Sequence, residues 1–551
     1  MGESGGPPAG LPVHHSWIAG REVEGRAGRR DVVSPADGRP FAEATLLDDG
    51  QMEEALAAAR EAFPAWRGVG LRERGRALRR LREAVVDEAE EIARLVEREQ
   101  GKPVAEAHVA DVLPSLEVLK HLAEHGEDLL QEDALEGQVL LLAHKEARVV
   151  YEPFGVVLAI TPWNYPLGLP LPIVAAAIAA GNTVVLKPAP STTLVGLRIG
   201  ALARRAELPA GVVNVVAVDD ALAPALVEDP RVGKIVFTGS VATGKKVMAA
   251  AAKNLTPVVL ELGGKDPAIV CRDADLDRAV PGIVWGAFMN AGQTCASIER
   301  VYVERPVAEP FLARVVEETL RLRAGEGPTD LGPLTLERQR KIVEQHVADA
   351  RNKGARVLTG GEAVPGPGFF YPPTVLADVD HTMTVMREET FGPVLPIMVV
   401  DSLDDAIRFA NDSNYGLTAS GWTRSRETAR RLQRELQAGV VTINDGLSSF
   451  GEPGAPWGGI KQSGIGRTHG RIGLREMVQP KYVSLDRSRG PELWWYPYDE
   501  RYRQLLAEAN PALHARSPWR RLLHLVRLAT HGRLWRRLGP RRLLMNIDKL
   551  F

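Results

Sequence analysis

Between Gly155 and Phe237 the chain alternates short β-rich runs with helical stretches, and no other feature restricts its fold as much. Val156–Ile160 and residues 183–186, 212–216 and 234–237 are nearly unbroken apolar or β-branched segments. Residues 175–180 and Thr193–Arg205, lying between them, read as helices. Strands without a polar face must be covered on both sides. The alternation therefore predicts an α/β fold with a parallel sheet between helical layers.

At 551 residues the chain exceeds one ordinary hydrophobic core, which predicts two or three domains. Residues 52–133 read as charged, Ala- and Leu-rich amphipathic helices. The runs 139–142 and 148–151 predict a β-hairpin over residues 137–151, and the late run 481–485 is a strand available to pair with it. A second α/β region spans about 264–440. A formal net charge of −2 gives no bulk electrostatic reason for nucleic acid as a partner. Two cysteines, Cys271 and Cys295, without a Cys-x-x-Cys pair or Cys/His cluster, predict neither a disulfide framework nor a metal site. The longest apolar stretch, 166–186, is broken by three prolines and by Gly181-Asn182. With no signal-peptide pattern, the expectation is a cytoplasmic protein.

Two segments carry nucleophile and base chemistry. Cys295 ends Asn290-Ala291-Gly292-Gln293-Thr294-Cys295, and Glu261 lies 34 residues earlier in Leu260-Glu261-Leu262-Gly263-Gly264-Lys265. A thiolate attacks a carbonyl and retains the acyl group as a thioester; a carboxylate activates water to hydrolyse it. Cys271 reads as a small core residue. In Thr161-Pro162-Trp163-Asn164-Tyr165-Pro166, directly after a strand, Asn164 is either a turn residue or an oxyanion donor. Phe237-Thr238-Gly239-Ser240-Val241-Ala242-Thr243-Gly244-Lys245 is a glycine-bearing turn from strand to helix whose amides suit a pyrophosphate, though it is neither G-x-G-x-x-G nor a Walker sequence. Lys187 follows another strand and reads as a surface lysine or a ribose ligand. Glu389 and Phe391, in Glu388-Glu389-Thr390-Phe391-Gly392-Pro393, read as a capped turn or as the border of a flat ring.

Taken in order, these words resemble the NAD(P)-dependent aldehyde dehydrogenase superfamily over about residues 20–487. Leu208-Pro209-Ala210-Gly211, Asn411-Asp412-Ser413-Asn414-Tyr415-Gly416 and Gly458-Gly459-Ile460-Lys461-Gln462-Ser463-Gly464 support the likeness. The resemblance implies Cys295 as nucleophile, Glu261 as general base and Asn164 with the Cys295 N–H as oxyanion hole. It implies a NAD or NADP site: Lys187 on the adenosine ribose, Ser240 on the pyrophosphate, Glu389 on the nicotinamide ribose and Phe391 beside the nicotinamide, with Trp163, Gly239 and Gly244 as further contacts. It implies a Rossmann-like cofactor domain over 1–136 and 156–263 and a catalytic domain over 264–440. A small β oligomerisation element with its return segment would take 137–155 and 441–487, joining homodimers or homotetramers.

Departures from the family pattern bear on specificity. Pro190 stands three residues after Lys187, where many relatives place a ribose-binding glutamate, so NADP is expected to be accepted. Pro172 stands eight residues after Asn164, where succinic-semialdehyde-oxidising relatives often have arginine, and Ile173 follows where many have lysine. An apolar aliphatic or aromatic aldehyde is therefore the expected substrate. Succinic semialdehyde, and a CoA-acylating reaction that Glu261 disfavours, are the alternatives, with an idle scaffold as the third class. Residues 488–551 lie beyond the likeness. Residues 511–551 hold ten Lys/Arg against the single acid Asp548. Trp519, Leu522, Leu523 and Val526 fall on one helical face and Arg520, His524, Arg527 and His531 on another. This basic helical extension packs on the protein body or a neighbouring subunit, touches an anionic membrane peripherally, or contacts nucleic acid nonspecifically.

Overall fold

The computed structural model describes residues 11–135, 142, 145–325, 329–487, 492, 495–496 and 498–530. Two compact units are present, one of residues 1–130 and 153–479, the other of residues 131–152 and 480–551.

The first unit contains two large sheets. One has eight strands in the order Gly464–Ile465, Val258–Glu261, Val232–Thr238, Val156–Ile160, Thr183–Lys187, Val213–Val215, Ser16–Ile18, Arg21–Val23. Its five central strands are parallel. The predicted strand Val156–Ile160 and helix Thr193–Arg205 occur with those bounds. The helix expected at 175–180 runs instead over Pro170–Ala179, because prolines in a first turn sacrifice no hydrogen bond. Strand order reverses between Val156–Ile160 and Val232–Thr238, and such a switch opens a crevice beyond the strands' carboxyl ends.

The second sheet has seven strands, Arg356–Thr359, Thr374–Ala377, Val394–Val400, Ile298–Glu304, Asp266–Val270, Thr418–Trp422 and Val440–Ile443. All its pairings are parallel except Arg356–Thr359 with Thr374–Ala377. Its strands Asp266–Val270 and Ile298–Glu304 begin just after Glu261 and just after Cys295 respectively. The Glu261 segment thus joins the carboxyl edge of one sheet to the amino edge of the other, where the Cys295 segment also lies. A smaller sheet of Val13–His14, Pro40–Thr45 and Arg29–Val33 completes the strands of this unit.

In the second unit the late strand pairs as expected. Val478–Asp486, Lys145–Pro153 and Asp133–Ala134 form a three-stranded sheet in that order. Of the other predicted hairpin strand, 139–142, all but Leu142 lies outside the described residues. Glu500–His514 and Pro518–Ala529 are helices packed through Tyr502, Leu505, Ala512, Leu525 and Leu528. The part of the predicted basic helix beyond Thr530 lies outside the described residues.

Candidate active site

Asn164, Glu261 and Cys295 line one cleft of about 280 Å³, together with Trp163, Gly239, Ser240, Gly263, Glu389 and Phe391. Asn164, Gly239 and Glu261 reach it from the end of a strand or from the loop beyond, and Cys295 and Glu389 from loops that lead into the strands Ile298–Glu304 and Val394–Val400. Asn164 follows Val156–Ile160, Gly239 follows Val232–Thr238, and Glu261 ends Val258–Glu261, which pairs with Val232–Thr238 in register Thr238 to Glu261.

The Glu261 segment passes close to the Cys295 loop because two side chains are missing. A Cβ on Gly264 would sit 2.3 Å from the Cys295 carbonyl oxygen, and one on Gly263 would sit 2.4 Å from the Glu389 carboxylate. Gly264 N–H instead donates to Glu389 Oε1 at 2.9 Å. On the approach to Cys295, Asn290 and Ala291 both adopt left-handed backbone (φ 56° and 52°), a conformation costly for non-glycine residues. Tertiary bonds hold it: Asn290 Nδ2 donates to the carbonyls of Asn164 (2.9 Å) and Gln293 (3.1 Å), and Gln100 Nε2 donates to Asn290 Oδ1.

Asn164 is buried, and its Nδ2 donates to the Gln293 carbonyl at 3.0 Å. Its own carbonyl accepts from Lys102 Nζ at 3.1 Å. Lys102 in turn is paired with Asp111 at 2.5 Å, both side chains at 0% exposure. Asp111 Oδ1 also accepts the N–H groups of Leu167 and Gly168. Sequence reading passed over Lys102 and Asp111 because they look like ordinary charges of amphipathic helices. Lys265 and Glu299 were passed over likewise. They form a buried pair at 2.6 Å, and the Glu299 carboxylate accepts the N–H groups of Thr390 and Phe391, fixing the segment that presents Glu389.

Burial raises the Cys295 thiol above its ordinary pKa, with Asp266, Glu389 and Glu261 adding to the shift and the Ala296 N–H opposing it. Glu261 is raised well above the carboxylate range by burial, partly opposed by Arg467, and neither carboxyl oxygen has a hydrogen-bond partner among the described residues. An uncompensated buried carboxyl is a proton-handling group in waiting. Cys271 is the core residue expected, buried in the second sheet's hydrophobic cluster.

The family model for the aldehyde dehydrogenase family matches residues 23–483. The chain belongs to the aldehyde dehydrogenase family. It is 39% identical over 459 residues to the succinate-semialdehyde dehydrogenase (NADP(+)) GabD of Escherichia coli (strain K12), covering 83% of this chain and 94% of that one. It is 38% identical over 473 residues to the 4,4'-diapolycopene aldehyde oxidase of Methylomonas sp, covering 85% and 88%. The solved NAD+ complex of an aldehyde dehydrogenase from Bacillus cereus superposes with a TM-score of 0.83 at 34% identity, over 86% of this chain and 97% of that one.

As an aldehyde dehydrogenase the protein is an oxidoreductase that uses NAD or NADP, and the cleft suits a dinucleotide. Ser240 caps the helix Val241–Ala251, accepting the Thr243 N–H, so the first amides of that helix face an anion-binding position. Gly244, inside that helix, packs on Leu262, where a Cβ would come within 2.6 Å. The rings of Trp163 and Phe391 stand edge to face at 5.4 Å across the cleft, with Glu389 beside them. Lys187 does not line this cleft; its Nζ lies at the carboxyl end of Thr183–Lys187, 2.8 Å from Asp220 Oδ1.

Two further cavities reach Cys295. One, of about 280 Å³, is lined by apolar residues including Val109, Leu113, Trp285, Leu447 and Phe450, with Glu117 its only charged residue among those described. The other runs along Leu122, Pro172, Ile173, Trp457, Leu474 and Met477 to Glu261. Its His469 is pushed down to about 4, chiefly by burial, and is uncharged near neutrality. No Lys or Arg lines either cavity among the described residues.

Proposed function

We propose that the protein oxidises an apolar aliphatic or aromatic aldehyde to the carboxylic acid with NAD(P)+. The supporting observation is the lining of the two cavities at Cys295, which offers a hydrocarbon chain a dry wall and a carboxylate no cation. Succinic semialdehyde, the substrate in the name of one relative, needs a charge partner for its far end. Pro172 and Ile173 supply none at the positions where relatives carry Arg or Lys.

In this reading the Cys295 thiolate adds to the carbonyl carbon, and the carbonyl electron pair moves to oxygen, where the Asn164 amide and the Cys295 N–H hold it. Phe391 and Glu389 would hold the nicotinamide, which when bound would supply the acceptor for the hydride that leaves the Cys295 adduct. Lys187, Ser240, Trp163, Gly239 and Gly244 would hold the rest of the dinucleotide. Glu261 then takes a proton from water, which attacks the thioester and frees the acid. Residues 1–136 and 156–263 would bind cofactor, 264–440 would carry the nucleophile, and 137–155 with 441–487 would assemble copies. Val478–Asp486 is a largely exposed edge strand suited to a homodimer or homotetramer; light scattering on the purified chain reads the mass directly.

The deciding assay compares hexanal, benzaldehyde and succinic semialdehyde by reduced-cofactor absorbance, with both nicotinamides and with and without CoA. Hexanal or benzaldehyde is expected to exceed succinic semialdehyde at least about tenfold in kcat/KM, as one desolvated, unpaired carboxylate costs more than that. A succinic-semialdehyde preference overturns the substrate reading, and a CoA requirement overturns hydrolysis. Cys295→Ser abolishing turnover tests the nucleophile.

A further inference from the structure

The helix Pro518–Ala529 is apolar on two faces, and its partner helix covers one of them. Leu525 and Leu528 pack against Glu500–His514. Trp519, Leu522, Leu523 and Val526 point elsewhere and stay in water, Trp519 at 80% and Val526 at 57% exposure. These four occupy roughly a 100° arc at about 100° per residue. Arg520 and Arg527 fall along one edge of that arc. An isolated exposed leucine needs no explanation, but a contiguous apolar stripe with a tryptophan at its head does. Trp495, Tyr496 and Tyr498 of the same unit are also exposed.

Charge selects the occupant. Residues 511–551 carry ten Lys/Arg against one acid, whereas the chain as a whole is at −2. The rest is therefore at −11, from −2 minus +9, and one end holds nearly all the surplus positive charge. A cationic rim around an apolar stripe matches an anionic lipid surface, where arginine meets headgroups and the stripe enters the acyl boundary. A second copy of the chain would bring the same positive charge to the contact. Among the described residues no helix is long and apolar enough to cross a membrane, so the contact lies in the plane of the surface. Exposed Trp and Tyr suit that depth, with an apolar body and a polar edge.

We propose that the C-terminal helical hairpin docks this protein peripherally on an anionic lipid bilayer, through Trp519, Leu522, Leu523 and Val526 with Arg520 and Arg527 at the rim. This surface is independent of the aldehyde preference.

The test is co-sedimentation of the full chain with phosphatidylcholine vesicles, with and without phosphatidylglycerol, at low and high salt. Binding is expected to the anionic vesicles at low salt and to fall at high salt. The double variant Trp519→Ser, Leu523→Ser should weaken it by about tenfold or more, and Arg520→Glu with Arg527→Glu by at least about tenfold. Hexanal turnover, where the wild type has it, and far-ultraviolet dichroism should hold in both variants, since Trp519, Leu523 and Arg520 are solvent-facing and the half-exposed Arg527 gives up one 3.6 Å ion pair to Glu508. Absence of binding to anionic vesicles overturns the proposal, as does binding indifferent to both double variants. A Trp519/Leu523 variant that lowers the oligomeric mass while lipid binding persists assigns the stripe to a second copy instead. A wild type inactive on hexanal that still binds these vesicles sinks the proposed aldehyde preference and leaves this proposal standing.

Discussion

The Asn164 side-chain amide donates to the backbone carbonyl of Gln293 at 3.0 Å, two residues before Cys295. One amide hydrogen is thereby used to lock the asparagine onto the Cys295 loop, and an asparagine amide carries two. The remaining N–H is the one available to a developing oxyanion. Asn164→Ala is expected to lower kcat by about 10²–10³. Rapid-quench or stopped-flow measurement of the first turnover with hexanal checks this under chemistry-limited conditions, and near-normal turnover removes Asn164 from the oxyanion site.

The thiol makes a pH prediction with a definite sign. Burial and then Asp266, Glu389 and Glu261 disfavour the Cys295 thiolate, so its pKa is raised. Alkylation requires the thiolate, whose population below the pKa grows about tenfold per pH unit. Iodoacetamide modification of the cofactor-free protein should therefore keep accelerating through about pH 9, beyond where an ordinary thiol levels off. A plateau below that pH would mean that the thiol is not shielded from water, with the carboxylates around it, as the structure has it. Mass spectrometry of the modified peptide separates Cys295 from the buried Cys271.

Most of the architecture was legible where local pattern and tertiary role coincide. Val156–Ile160 is apolar throughout because both faces are covered, and the sequence says so without help. The strands Ser16–Ile18, Arg21–Val23 and Arg29–Val33 escaped reading, being short, polar or set at edges where one face meets water, and Pro40–Thr45 because its proline and alanines carry no strand signal. At the site, residues with glycine-bearing surroundings announced themselves, since close backbone approach leaves that mark. Lys102, Asp111, Lys265 and Glu299 did not. Their burial results from three or more segments converging, and a lysine among glutamates looks the same whether it faces water or the protein interior.

The Lys102–Asp111 pair gives a prediction about positioning. Lys102 joins the fully buried Asp111 carboxyl to the Asn164 carbonyl, so its removal leaves both buried groups short of a partner. Breaking a buried pair from one side costs about 3–5 kcal/mol. Lys102→Met should lower the urea midpoint accordingly at unchanged slope, and in the surviving folded protein reduce kcat more than it raises KM. Pairing it with Asp111→Leu does not restore the wild type, because Leu167 and Gly168 N–H then lose their acceptor. A Lys102→Met protein with wild-type stability would show that the pair is not closed in solution.

Cofactor choice turns on Lys187 and Asp220. Pro190 removes the carboxylate that many relatives hold near the adenosine ribose, which alone favours acceptance of NADP. Yet Asp220 Oδ1 lies 2.8 Å from Lys187 Nζ, with the lysine buried and the aspartate exposed. If Lys187 serves the ribose, a 2′-phosphate must compete with Asp220 for the same ammonium and bear its repulsion, while an unmodified ribose hydroxyl bears much less. With its aspartate open to solvent, a pair of this kind is worth about 1 kcal/mol, near fivefold in affinity. Asp220→Ala is expected to tighten NADPH binding by about fivefold and to change NADH binding by less than about twofold. Fluorescence titration of the two reduced cofactors reads this without turnover, and the ratio of kcat/KM values with NADP+ and NAD+ should rise in parallel. An Asp220→Ala protein with both affinities unchanged would place the ribose away from Lys187 and return the cofactor question to Pro190 and its neighbours.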